Sequence, residues 1–323
     1  MHKWNRTTSL VLVAVLALIA ACGGDDAGPA ATGDADATTT AADGSDVGFP
    51  VTVTDDRGEE VTVAARPERI VSLSATATEV LFAIGAGDQV EAVDDTSNFP
   101  EEAPTTGISG FDPNVEAIAD LDPDLVVIFF DPGDMAESLE LLGIPVLLHD
   151  AVDDLDGAYA QIAQLGEVTG NIDGAAAVVA DMRERIEDIV ADLPEGAEGL
   201  TYFHELDDTL YTATSDTFVG HVYGLLGLEN VADAADDGSS YPQLSAEYLV
   251  EADPDLIFLA DAAFGVTAES VAERPGFSEI TAVREGNVIE LDEDISSRWG
   301  PRIVEFLEAV AAAVERVPTG AGA

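Results

Sequence analysis

The apolar positions of this chain change period several times, and each change marks an element. In "VTVTDDRGEEVTV" (51–63) they alternate on both sides of a turn sequence, which predicts a β-hairpin. "RIVSLS" (69–74) reads as a short buried strand, and "ATEVLFAIGAG" after it as a helix. Thr76 and Glu79 stand at capping-box spacing near its start, with Gly85 or Gly87 near its end. Further on, "LVVIFF" (125–130) and "PVLLHD" (145–150) have the pattern of strands, while "NVEAIADL" and "DMAESLELLG" are helical. This alternation predicts a parallel sheet with crossover helices.

The second half repeats the order. "LTYFHEL" (200–206) is a strand, "DTFVGHVYGLLGL" a helix, "SAEYLVEAD" a helix, and "LIFLA" and "NVIELD" (287–292) strands. "NVEAIADLDPDLVVIF" (114–129) matches "SAEYLVEADPDLIFLA" (245–260) at an offset of 131, so Glu116 pairs with Glu247. "FAIGAGDQV" (82–90) matches "YGLLGLENV" (223–231), and "GIPVLLHD" (143–150) matches "GNVIELDE" (286–293). Three matches in one order point to duplication.

Between the halves, Val178, Met182, Ile186, Ile189 and Leu193 fall on one face of a helix that begins after Asn171 or Asp173 and stops at Pro194. About 20 residues at 1.5 Å each make a rod of roughly 30 Å. The predicted fold class is therefore α/β: two lobes, each with a central parallel sheet and flanking helices, joined by one long rigid backbone helix. The boundaries are 49–170 for the first lobe, 171–196 for the helix and 197–323 for the second lobe. A cleft between lobes is a favoured place for a ligand.

Composition changes the picture at the N-terminus first. "MHKWNR" is basic, "LVLVAVLALIA" is apolar, and Ile-Ala-Ala-Cys follows at 19–22, resembling the lipobox of bacterial lipoproteins. The expected leader is 1–21, the lipidated residue Cys22, and 22–48 an acidic disordered tether almost without large apolar residues. The folded part is thus expected outside the cell, anchored to its membrane by lipid alone. Cys22 is the only cysteine, which leaves no intrachain disulfide and no cysteine-held cluster. The 64 Asp and Glu against 12 Lys and Arg give a net charge of −52, which repels nucleic acid. The acids are spread along the whole chain, so they read as a solvated acidic shell rather than a cation site.

Catalytic chemistry finds little support. No phosphate loop, nucleophile elbow or His-Glu-x-x-His helix is present. His149, His204 and His221 are isolated; His204 with Glu205, ending a strand at the cleft side, is the best candidate for a bare metal site or an extracellular enzyme. Ligands of open α/β sheets sit beyond the carboxyl ends of the strands. Those positions offer Ser72, Ser74, Thr76, Phe129, Phe130, Tyr211, Ser215, Thr217, Phe264, Arg298 and Trp299. Aromatics among small hydroxyls suit a bulky, partly apolar ligand. Trp299 precedes Gly300-Pro301, where a last helix is expected to start with Pro at its first position.

"RPERIVSLSATATEVLFAIGAGDQV", "FDPNVEAIADLDPDLVV", "YPQLSAEYLVEADPDLIFLA" and "SRWGPRIVEFL" resemble the iron-siderophore and cobalamin substrate-binding proteins of ABC importers, in the helical-backbone metal receptor superfamily. The resemblance covers about 49–317. It implies a non-enzymatic, monomeric receptor with no cofactor of its own. Such a receptor captures a metal chelate and delivers it to a permease dimer with its ATPase. It places a permease-docking acid on each lobe, Glu116 and Glu247. It places cleft aromatics at Phe129, Tyr211 and Tyr241 and a basic residue at Arg298. The first-lobe tryptophan of the cobalamin binders falls at Gly110, with Phe111 beside it. Basic residues are scarce, so a ferric siderophore of low charge is the favoured ligand, ahead of cobalamin. Haem is a further alternative, with Tyr211, Tyr241 or His204 as axial ligands.

Overall fold

The computed structural model describes residues 48–235 and 238–317. The expected leader, Cys22 and all but the last residue of the tether lie outside the described residues. Among those described, no helix is long and apolar enough to cross a membrane.

The first half opens with an antiparallel hairpin of β1 (Val51–Thr54) and β2 (Glu60–Val63). β3 (Ile70–Leu73), α1 (Ala75–Ala83), β4 (Val90–Val93), α2 (Val115–Ala119), β5 (Leu125–Ile128), α3 (Met135–Glu140) and β6 (Val146–Leu148) follow. Then come α4 (Leu155–Thr169) and α5 (Ile172–Ala191). The second half holds β7 (Thr201–Glu205), α6 (Phe218–Leu225), β8 (Glu229–Asn230), α7 (Ala246–Ala252), β9 (Leu256–Leu259), α8 (Ala268–Ala272), α9 (Thr281–Glu285) and β10 (Val288–Glu290). α10 (Glu293–Ser297) and α11 (Ile303–Val314) close the chain.

Two four-stranded parallel sheets result, ordered β4-β3-β5-β6 and β8-β7-β9-β10. The two orders correspond strand for strand, as the repeat predicts. The central strands are covered on both faces, so they read as continuous apolar runs. Within each, alternate residues serve different cores: Leu125 and Val127 of β5 join a cluster under the long helices, while Val126 and Ile128 join one on the other face. Leu256 and Phe258 of β9 reach that same central cluster, and Ile257 and Leu259 a third.

The repeated Asp-Pro-Asp-Leu has a specific job in each half. Asp122 and Asp253 take left-handed backbone, φ 49° and 47°, which reverses the chain after α2 and α7. Asp124 then accepts hydrogen bonds from the amides of Glu68 and Arg69 at 2.9 and 3.0 Å. Asp255 accepts one from the Thr201 amide at 2.9 Å. Each corner thereby ties the sheet's later strand to the start of its first.

Three expectations change. α1 is capped by Ser74, whose Oγ accepts from the Ala77 amide at 3.2 Å, and not by a Thr76–Glu79 box; Glu79 turns inward instead. Pro301 lies in the turn before α11, which has Arg302 at its N-cap. α5 buries Met182 and Ile186 as its pattern requires, but it is flanked by α4 and α11. α4 was not anticipated, although Asp154 caps its start and Gly170, at φ 72°, ends it.

Candidate functional site

An open pocket of about 480 Å³ lies beyond the carboxyl ends of the first sheet's strands. Ser74 and Thr76 reach it from the β3–α1 junction, Asp95, Thr96 and Asn98 from the segment after β4, and Phe129 from the end of β5. The opposite wall is one stretch of the second half, with Glu293, Asp294, Ser297, Arg298 and Trp299. Phe111 completes the lining.

The aromatic edge is preassembled. Phe111 stands 61% exposed, edge-on to Phe129 with centroids 5.3 Å apart at 83°. Exposed aromatic surface of this kind can stack against a flat apolar ligand. The Trp299 indole N–H donates to Gln161 Oε1 of α4 at 2.8 Å, which fixes the ring at the pocket's margin. Phe111 lines the pocket beside Gly110, where no side chain fits. A Cβ at Gly110 would collide with the carboxylate of Asp94, which is itself buried against Ser97 and Thr96.

Arg298 lines the pocket, yet its charge is spent on the protein. Nη1 donates to Glu79 Oε1 at 2.7 Å and to Asn98 Oδ1 at 3.0 Å. Nη2 donates to the Thr96 carbonyl at 3.1 Å and to Asp294 Oδ1 at 2.5 Å. With Asp95, Glu293 and Asp294 nearby, the lining offers an anion no unpaired cation.

Phe130, Tyr211 and Tyr241 are exposed but stand outside this lining. Phe130 is next to Phe129, centroids 6.3 Å apart. Tyr211 and Tyr241 sit in two second-lobe loops that Tyr211 and Gln243 join by an antiparallel bridge. Sequence reasoning missed Asp95, Thr96 and Asn98, because the segment after β4 has no periodicity to place it; the rule that ligands gather at strand ends could have found it.

His204 and Glu205 are not cleft groups. The ring of His204 is 1% exposed, its Nδ1 is 2.8 Å from the Tyr223 hydroxyl, and burial pushes its pKa down to about 4. Glu205 is fully buried, and Arg274 donates to its two oxygens at 2.6 Å each. Both are satisfied inside the core, so neither a metal site nor an axial haem ligand at His204 survives. Among the described residues no group of three or more His, Cys, Asp or Glu could hold a metal ion.

Glu116 and Glu247 occupy equivalent exposed places in the first turns of α2 and α7. Asn114 and Ser245 cap these helices, accepting from the Ala117 and Tyr248 amides at 3.1 Å. Neither glutamate enters an ion pair among the described residues.

Residues 70–295 match the family described as periplasmic binding protein. A Halobacterium salinarum protein named cobalamin-binding protein is 33% identical over 326 residues, covering 96% of this chain and 85% of its own. A Bacillus subtilis protein named an uncharacterized ABC transporter substrate-binding lipoprotein, YvrC, is 32% identical over 275 residues, covering 82% and 86%. The crystal structure of the periplasmic vitamin B12-binding protein of Vibrio cholerae superposes with a TM-score of 0.63 at 26% identity, covering 77% of this chain and 97% of that one. With two matched sheets, a pocket at their strand ends and these relatives, the chain belongs to the periplasmic binding protein family, the solute-binding receptors of ABC importers.

Proposed function

We propose that this receptor captures a corrinoid of the cobalamin class outside the cell, anchored through Cys22, and hands it to an importer permease. The observation that carries the ligand class is the pocket itself: an aromatic edge of Phe111, Phe129 and Trp299, with small hydroxyls and amides, and every nearby cation already neutralised. A corrin ring has broad apolar faces and a rim of neutral amides. The rings can stack on the faces, and Ser74, Thr76, Asn98 and the carboxylates can bond the rim. Haem carboxylates and anionic ferric catecholates would meet Asp95, Glu293 and Asp294 with no free arginine to offset them. This moves the ferric siderophore, favoured on sequence, to second place. The 33% identical relative named cobalamin-binding protein supports the same choice.

Calorimetric titration of the full chain with cyanocobalamin, haemin and a neutral ferric hydroxamate tests the reading. Cyanocobalamin is expected to bind at one site, and Phe129→Ala or Trp299→Ala to weaken it by roughly tenfold or more, the loss of one buried aromatic contact. Binding of the hydroxamate alone would overturn the ligand assignment and leave the receptor role intact.

A further inference from the structure

The two walls of the pocket are joined beneath it by a buried ion cluster. Glu79 of α1 is 3% exposed, and its Oε1 accepts from Arg298 Nη1 at 2.7 Å and from Arg302 Nη1 at 3.2 Å. Arg298 also grips the first lobe through the Thr96 carbonyl and Asn98 Oδ1, and its own helix through Asp294. Asn98 closes the ring, its Nδ2 donating to Asp294 Oδ2 at 2.8 Å. On the far side the Arg302 guanidinium lies 4.3 Å from the centroid of the Phe99 ring. Thr96, Asn98, Asp294 and Arg298 belong both to this cluster and to the pocket lining. A ligand seated against these four residues bears directly on the cluster.

The cluster differs from a surface ion pair in two respects. It is desolvated, so its attractions are weakly screened and breaking one partner leaves a buried charge uncompensated. It is also under-satisfied: one carboxylate serves two guanidinium groups, while Glu79 Oε2 and Arg302 Nε are buried without a hydrogen bond. Losing that one carboxylate would leave both guanidinium groups short of a partner at once.

We infer that Glu79, Arg298 and Arg302 form a latch that sets the spacing of the pocket's two walls before a ligand arrives, and that opening it governs ligand release. They are positioning residues: Glu79 and Arg302 are absent from the pocket lining, and Arg298 spends its charge on the latch. The release half of this inference rests on the pocket being the ligand site; the wall-spacing half does not.

Glu79→Gln in the full chain keeps the shape and removes the charge. Hydrogen exchange of the ligand-free protein is expected to quicken about tenfold or more at amides of 293–302 and to stay unchanged in β9. Cyanocobalamin is expected to dissociate about tenfold faster, with its association rate within about twofold of the parent. Arg302→Gln, which lies outside the pocket lining and removes one of the two guanidinium groups from Glu79, is expected to give the same pattern more weakly and serves if Glu79→Gln does not fold. Unchanged exchange at 293–302, or acceleration spread evenly over the whole protein, would overturn the latch. An unaltered dissociation rate in a chain whose 293–302 segment has loosened would overturn its control of release. If the parent itself binds no cyanocobalamin, the corrinoid reading falls, and exchange alone decides the wall-spacing half.

Discussion

Asp261, just past the end of β9, is 2% exposed and lies beside the buried carboxylate of Glu205. Burial, reinforced by the charge of Glu205, pushes its pKa up to about 6. The folded state therefore prefers the protonated acid, and that contribution is lost as pH rises from about 3.8 through about 6. His204 has the opposite sign. Burial holds it near 4 against an ordinary 6.5, so the folded state prefers the neutral ring and stability falls as pH drops through that window. At about 1.4 kcal/mol per pKa unit, Asp261→Asn is expected to stabilise the protein by about 3 kcal/mol at pH 7.5, the gain fading below pH ~4. His204→Gln is expected to flatten the acid limb of the same curve. Denaturant unfolding across pH 4 to 8 checks both; a gain from Asp261→Asn that is equal at every pH would contradict the assignment. Neither role was legible in the sequence. "HEL" at a strand end looks like cleft chemistry, and only the packed Tyr223 and Arg274 show that it is core. The same holds for Arg298, whose position near a ligand was readable while its partner Glu79, 219 residues away, was not.

Elements were easier to read, because burial imposes a period that the chain cannot hide. β5 and β9 must be apolar at every position when both faces are covered, and their identical Asp-Pro-Asp leaders betray the repeat. α5 was visible as one stripe. What packs on it was not, since the mate of a stripe is set by tertiary contact. Gly174 shows how close that contact is: a Cβ there would collide with the carbonyl of Ile84 at the end of α1. Gly174→Ala, ordinarily favourable within a helix, is expected to destabilise by about 1–3 kcal/mol, as overpacking against backbone does. Thermal unfolding checks it, with Gly224→Ala in α6 as the comparison, because nothing lies within 4 Å of a Cβ at that position. The segment from 94 to 114 defied sequence reading for the opposite reason. It has no period, and is held by single bonds such as Thr106 Oγ1 to the Val93 carbonyl at 2.7 Å.

Across the whole molecule, the duplication puts the same exposed acid in the same turn of two matched units. One such glutamate would be a first-turn acid favoured by the helix dipole and nothing more. Two of them suit a partner that is itself twofold and bears cations. Glu116→Ala with Glu247→Ala is expected to leave ligand affinity unchanged and to abolish uptake in cells, with each single change giving a partial loss; calorimetry beside a transport assay separates the two. Loss of ligand affinity in the double variant would remove the docking role. The arginines carry a last consequence. Apart from Arg316, every one in the described residues donates a hydrogen bond to the protein's own acceptors. In a chain whose acids so outnumber its bases, positive charge is thus committed to the protein's own acceptors, and balancing the remaining acids is left to the bathing electrolyte. The dissolved cations around this receptor are in that sense a working part of it, drawn from the surroundings rather than encoded.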